Sequence, residues 1–317
     1  MSARKDTPPS IGFAIASHGK PEQLLRMIEG LNRYFGQPPI AIHHDDHQMP
    51  IDRSIFPPNC QFSTKVHKTG WGRAGVTAGF LEAIRLLYND EGPDWFFTAS
   101  AACYPVMHGA QVRHELAQAR CDAFIDLGPV SPERTCRAKL VGELNPRLAQ
   151  FRLEANRKSR WLFYLAPQLW IPIVRFRPHL RVGRLSWWPR FEGPFHPFGD
   201  KMQPFYGDTW FCATRKVAHH LLAADPLKTR LFKFLRRKPG INEAFMQTWI
   251  AANPEFTLCR DNRRWAEWPG GPHPEWMTRE RTDRALASNA FLARKFEPGS
   301  DLLDYIDEQL ASGDARR

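Results

Sequence analysis

Four groups of residues in this chain carry side chains able to do chemistry. Glu243 is the second residue of the segment NEAFMQTWIAA, which follows the loop Lys238-Pro239-Gly240. A helix dipole favours a carboxylate at such a position, so Glu243 serves either to stabilise a helix start or as a general base. Asp208 in GDTW is either a turn residue, the commoner use of Gly-Asp, or a second acid–base group. Asp45 and Asp46 are flanked by His43, His44 and His47, ligand types that suit zinc or manganese. Adjacent positions on an extended chain face opposite sides, however, so these five do not converge on one ion. Arg260, Arg263 and Arg264 in RDNRR, and Arg294-Lys295 in LARKF, are either a solvated basic face or phosphate-binding groups. Arginine would offer bidentate hydrogen bonds and lysine a point charge.

These residues sit at the ends of expected elements. The apolar run 11–17, IGFAIAS, predicts a buried strand that ends in the loop at His18-Gly19. Pro21 and the spacing of Leu24, Leu25, Ile28, Leu31 and Phe35 predict a helix after it. Residues 40–42 read as a second strand running into the His/Asp cluster, 65–67 as a weak third, and 95–99 as a further buried strand ending in the loop 100–105. Helical spacing over 77–88 predicts an amphipathic helix between them. Later, 210–214 reads as a strand, and 217–224, 242–252 and 284–296 as helices. Strands alternating with helices imply a mostly parallel sheet with ligands at its carboxyl edge. No Walker loop is present.

Composition narrows the function classes. The chain has 317 residues, 43% hydrophobic and 24% charged, which excludes a disordered or fibrous protein. Its 44 Lys+Arg against 33 Asp+Glu give a net charge of +11, favouring anionic partners. Residues 131–200 hold 13 Lys+Arg and 5 Asp+Glu, a net of +8, and read as an irregular Trp- and Pro-rich insertion. Nucleic acid is not the expected partner, because no RNP, KH or zinc-knuckle pattern accompanies this charge. The six cysteines are scattered without a CxxC pair, which argues for a reducing, cytoplasmic compartment. The first ten residues contain no apolar stretch of a secretory signal and are expected to be a disordered tail. Within the insertion, the apolar stretch 161–174 has basic flanks and two prolines. Two readings stand for it: a lid over the sheet, or peripheral contact with the inner face of an anionic membrane.

Taken in order, IGFAIASHGKPEQLLRMI, AIHHDD, KTGWGRAGVTAGFLEAI, DWFFTASAACYPV, GDTWFCATRKV, INEAFMQTWIAANPEF, RRWAEWPGG and SNAFLARKFEP resemble the core 2/I-branching and peptide xylosyltransferase group, glycosyltransferase family 14. The resemblance covers about residues 11–128 and 204–304, leaving 129–203 unmatched and a tail from 305. It implies an α/β, GT-A-like single domain whose first half binds the nucleotide and whose second half holds the acceptor and diphosphate. It also implies inverting transfer from a UDP-sugar to a glycan or peptide hydroxyl without a metal ion or other cofactor. N-acetylglucosamine is the first expectation for the sugar and xylose the second. Carried over residue by residue, Glu243 falls on the catalytic base of the DE-x-F-x-x-T pattern, with Asn242 in place of the usual aspartate. Arg294 and Lys295 match the diphosphate position and Arg264 lies in the adjoining loop. Asp45 would contact the uridine, and His18 and Trp71-Gly72 would border the same nucleotide. Cys103, Tyr104 and Trp210 would line the sugar and acceptor pocket, with Asp208 nearby. Cys103 is the main departure: the family pattern SG-x-DYP has an aspartate there. That opens a rival reading, a catalytically inactive nucleotide- or glycan-binding homologue.

Overall fold

A computed structural model describes residues 7–70, 72–129, 170–171, 174–181, 184–191, 202–236, 240–268 and 274–313. IGFAIAS forms the fully buried strand β1 (Ile11–Ser17), because both of its faces are covered by helices. Helix α1 (Pro21–Phe35) follows, with Pro21 in its first turn and Gly36 ending it in the left-handed region. β2 (Ile40–His44) and β3 (Cys60–Phe62) pair in parallel outward from β1. Helix α2 (Ala74–Leu87) then carries the chain across to β4 (Trp95–Ser100), which pairs in parallel with the other side of β1. The reversal of strand order between β1 and β4 leaves a crevice above their carboxyl ends, the place where sheets of this kind bind ligands.

Beyond β4 the sheet continues through β12 (Phe211–Thr214), β6 (Ala123–Ile125) and β13 (Leu258–Cys259). The strand order is β13-β6-β12-β4-β1-β2-β3, and β12 alone runs antiparallel to its neighbours. β12 therefore enters the sheet at the edge where β4 and β6 leave it, which brings the loop before it over the crevice. A small sheet of β5 (Cys103–Pro105), β14 (Arg264–Trp265) and β15 (Leu292–Arg294) forms beside the end of β4.

Two apolar layers hold the sheet between helices. One face packs on α1, α3 (Gly109–Gln118), α7 (Arg279–Leu286) and α8 (Leu302–Ser312) through Phe13, Leu24, Ile28, Phe97, Phe291 and Ile306. The other packs on α2, α4 (Arg215–Leu222), α5 (Pro226–Leu235) and α6 (Phe245–Ala251) through Phe80, Phe96, Phe211, Val217, Leu231 and Phe245. The result is the mostly parallel α/β architecture of the sequence reading.

Several elements differ from expectation. The third strand is Cys60–Phe62 rather than 65–67, because its register with Ile40–Ile42 places it along β2, while the later residues are drawn to the end of β2 by His43 and Asp45. The expected helix over 284–296 is instead the end of α7 followed by β15, whose Leu292 and Ala293 are buried between β5 and β14. The tail expected from residue 305 is the greater part of α8. Asp307 there accepts hydrogen bonds from Tyr34 (2.6 Å), Tyr104 (2.9 Å) and Arg26 (2.8 Å) and also pairs with Arg33. Burial alone would raise the Asp307 pKa, but these donors outweigh it and hold the carboxyl below its ordinary value. At the other end, Ser10 donates its N–H and hydroxyl to Asp94 at 2.9 and 2.7 Å.

The insertion leaves and returns at one place, where β7 (Gly128–Pro129) pairs with β11 (Phe205–Tyr206). Within it, β8 (Trp170–Ile171), β9 (Val174–Arg181) and β10 (Arg184–Phe191) form a separate antiparallel sheet that the Pro- and Trp-rich sequence does not signal. Most of the stretch read as lid or membrane contact, 161–169 and 172–173, lies outside the described residues. No helix among the described residues is long and apolar enough to cross a membrane.

Candidate active site

The carboxyl edge of the sheet gathers residues from widely separated parts of the chain. Glu243 closes a single 3-10 turn, Ile241–Glu243, just before α6, so it precedes the helix rather than lying in its first turn. The left-handed Gly240 sets this turn, and its N–H donates to the Gly72 carbonyl at 3.0 Å. The loop expected to border the nucleotide thus touches the turn that carries Glu243. Gly72 is itself left-handed, a conformation glycine adopts without penalty. Trp71 lies outside the described residues.

Tyr206, on β11, donates its hydroxyl to Glu243 Oε2. The loop that follows is sewn to the same turn. The Gly207 N–H donates to the Glu243 carbonyl (2.9 Å), the Thr209 hydroxyl to the Asn242 carbonyl (3.1 Å), and Gln247 to the Asp208 carbonyl (2.6 Å). Gly207 admits no side chain: a Cβ there would lie 1.6 Å from the Asp126 carbonyl oxygen. Asp126, just beyond β6, accepts the Asp208 N–H at 3.0 Å. Tyr206, Asp126, Asn242 and Gln247 are therefore the scaffold that holds the Asp208 loop against the Glu243 turn. Sequence reasoning missed all of them except Asn242, because β6 and β11 span three and two residues and carry no periodic signal.

The basic groups meet this loop from the small sheet. Arg294 lies with its guanidinium carbon 4.2 Å from the centroid of the Trp210 ring. Arg264 donates from Nη2 to the Thr98 carbonyl in β4 at 2.9 Å. Burial pushes the Arg264 pKa down, and the neighbouring positive charge of Arg294 adds to this. Asp208 lies within electrostatic reach of both arginines. Burial pushes its carboxyl pKa up, Arg294 and Arg264 oppose the rise, and Asp126 adds to it. Lys295 stands further out, its Nζ 3.7 Å from the Trp276 ring centroid, with its pKa lowered by burial and by Arg294. Arg294 and Lys295 are thus two adjacent cations, each lying over an aromatic ring.

Two expected site residues, Tyr104 and Asp45, take other places. Tyr104 is fully buried and points away from the edge, donating to Asp307 and lying against Arg26 beneath α1. It belongs to the core, because β5 alternates its side chains across a strand covered on that face. Asp45 is also fully buried, and its carboxylate is occupied by Thr69 (2.6 and 2.8 Å), Gln48 (2.9 Å) and the His47 N–H (3.2 Å). It secures the 65–73 loop under the crevice rather than presenting an oxygen to a ligand. Asp46 pairs with Arg53 at 2.6 Å, so the two adjacent carboxylates face different partners. His18 is largely exposed at the end of β1, where partial desolvation lowers its pKa and the Asp45 carboxylate opposes the shift. Cys103 is buried beside the arginines, its Sγ 3.6 Å from the Ser100 hydroxyl, and Trp210 is buried under Arg294.

A model of the core-2/I-branching enzymes matches residues 40–289. The chain is also 24% identical over 243 residues to the beta-glucuronosyltransferase GlcAT14B of Arabidopsis thaliana. That alignment covers 74% of this chain and 48% of the plant protein, so the chain spans about half the length of this curated relative. The family match takes in β2 through α7, and with them β4, the Glu243 turn and Arg264, while β1, Arg294 and Lys295 lie outside it. On that extent of match, the chain belongs to the core-2/I-branching enzyme family, glycosyltransferase family 14.

Proposed function

We propose that this protein transfers a sugar from a UDP-sugar to a hydroxyl of a glycan or peptide, inverting the anomeric centre. In the proposed step, Glu243 accepts the proton of the acceptor hydroxyl as its oxygen attacks the anomeric carbon. The bond between that carbon and the β-phosphate oxygen breaks on the opposite face, and UDP leaves with the electron pair. Negative charge grows on the diphosphate as it departs, and Arg294 and Lys295 supply the opposing charge that a divalent ion would otherwise provide. Tyr206 holds the Glu243 carboxylate in place through Oε2.

The observation that supports this reading best is the joining of one carboxylate turn to one cationic pair through the 206–210 loop. Gly207 and Thr209 bond to Glu243 and Asn242, while Trp210 carries Arg294. The curated relative is named for glucuronosyl transfer, and at 24% identity that name supports a nucleotide-sugar donor more than a particular sugar. A thermal-shift panel of UDP-sugars, each with and without EDTA, tests class and metal together. Stabilisation by a donor that survives chelation supports the proposal. Stabilisation that vanishes with EDTA and returns with Mn²⁺ overturns the metal-free step. Cys103 favours a second reading, an inactive nucleotide-binding homologue, and donor binding without turnover in any acceptor mixture would support that instead.

A further inference from the structure

The turn that carries Glu243 is bordered by two cationic elements that the transfer step leaves unused. The first is α5, which leads into the turn. Arg236 ends this helix four residues before Gly240, and Phe232 packs edge-on against Phe245, the first residue of α6, with 5.2 Å between ring centroids. Arg230, Lys233 and Arg236 are exposed along α5, and none has a side-chain partner among the described residues. Lys228, by contrast, donates from Nζ to the Leu221 carbonyl at 2.7 Å and closes the end of α4. Successive exposed cations are separated by a rise of about 4.5 Å along the helix, close to the repeat of one sugar unit in a glycan chain.

The insertion supplies the second element. It joins the core through β7 and β11, and β11 carries the Tyr206 that bonds Glu243. Its hairpin, β9–β10, separates residue types by face. The register sets Arg175 opposite Arg190, Arg177 opposite Trp188 and Arg181 opposite Arg184 on one face. The other face takes Val174 opposite Phe191 and Leu180 opposite Leu185. Like charges directly opposite each other across antiparallel strands destabilise the pairing, and neither strand contains an acidic residue to relieve them. Two such arginine pairs on one face are a cost that an anionic ligand removes.

Resting on the proposed function, in which Glu243 deprotonates the acceptor, we propose that the acceptor is a chain of acidic sugars. Its carboxylates are held on these two cationic elements while one of its hydroxyls meets Glu243. Arginine predominates in both elements, and its planar guanidinium grips a carboxylate through two parallel hydrogen bonds. A glycan fits better than a bilayer, because the exposed face of α5 carries no large apolar side chain to enter lipid. The exposed large apolar residues among those described, Ile55 and Trp276, lie elsewhere in the chain.

The test is calorimetric binding of oligogalacturonate, and separately of UDP, to the full chain. Oligogalacturonate is expected to bind, with an affinity that falls as salt is added, and a neutral dextran oligomer of the same length is not. Arg230→Gln/Lys233→Gln on α5 and Arg175→Gln/Arg190→Gln on the hairpin should each weaken that binding about tenfold, as the loss of two partly exposed ion pairs. UDP affinity should stay at the wild-type value in both. A charge-matched control on the other helix layer, Arg120→Gln/Arg279→Gln, should leave oligogalacturonate binding unchanged. An equal loss in the control would reduce the effect to overall charge and overturn the inference. So would poly-glutamate binding as tightly as oligogalacturonate, or binding to phosphatidylserine vesicles without binding to oligogalacturonate. In each of those cases retained UDP binding leaves the proposed function standing. Absence of UDP binding overturns that function and the acceptor assignment with it.

Discussion

Asp45 receives the backbone N–H and the hydroxyl of Thr69 on the same carboxylate oxygen, at 2.6 and 2.8 Å. This clamp ties the end of β2 to the loop that leads into α2, and through Gly72 to the turn bearing Glu243. Burial alone would raise the Asp45 pKa, but the hydrogen bonds from Gln48, Thr69 and His47 bring it down to about 2. A carboxyl whose pKa is lowered by folding stabilises the fold above its ordinary value, 3.8, and loses that contribution as pH falls towards 2. Asp45→Asn should cost about 1–3 kcal/mol at neutral pH, since an amide N–H₂ would face donors. Denaturant titrations from pH 6 down should show the gap between wild type and variant closing over that acid window. A constant gap would mean that the clamp is not what titrates.

Glu243→Gln should lower turnover by roughly 10²–10⁴-fold while leaving UDP affinity nearly unchanged, because the amide keeps the Tyr206 contact and loses the base. Turnover at the wild-type level would place the base elsewhere, with Asp208 next to be tested.

Replacing Arg294 or Lys295 by Ala should weaken UDP binding, each by about 1.5–3 kcal/mol as the loss of a charged donor. The Arg294 variant should also change the fluorescence of Trp210, which the guanidinium covers. Unaltered UDP affinity in both variants would remove this pair from the diphosphate site.

His43 gives the fold a second pH dependence. Its Nε2 accepts the His67 N–H at 2.8 Å, so the ring must be neutral. Its pKa is lowered from 6.5, first by burial and then by His67. The unfolded state therefore takes up a proton that the folded state resists, and stability should fall as pH drops below about 6.5. His43→Gln, compared with wild type at pH about 8 and about 5.5, should lose less on acidification.

Asp307→Ala should destabilise the protein by about 2–4 kcal/mol, because it strips partners from Arg26, Tyr34 and Tyr104 at the α1–α8 contact. UDP affinity should stay at the wild-type value, since the cluster lies under α1. A variant of normal stability would show that the apolar residues Leu303, Ile306 and Leu310 dock α8 by themselves.

Those parts of this protein whose signal is local can be read directly from the order of its residues. IGFAIAS and DWFFTAS are apolar runs with no plausible exposed face, and the 3.6-residue spacing after Pro21 admits only a helix, so β1, β4 and α1 were legible. Glu243 and Arg294 stood out as candidates from their residue types and motif neighbours. Tertiary structure decided what depends on partners distant in the chain. β15 is three residues long and becomes a strand only because β5 and β14 lie on either side of it, so its helical spacing misled. Tyr104 and Asp45 have the residue types of a site, yet the helix and loop that fold over them take their hydrogen bonds. The pairing of Glu243 with Tyr206, 37 positions away, and of Arg264 with Thr98, 166 positions away, leaves no periodic trace. Such contacts are fixed by the antiparallel entry of β12 and by the burial that encloses them, and only the folded chain specifies either.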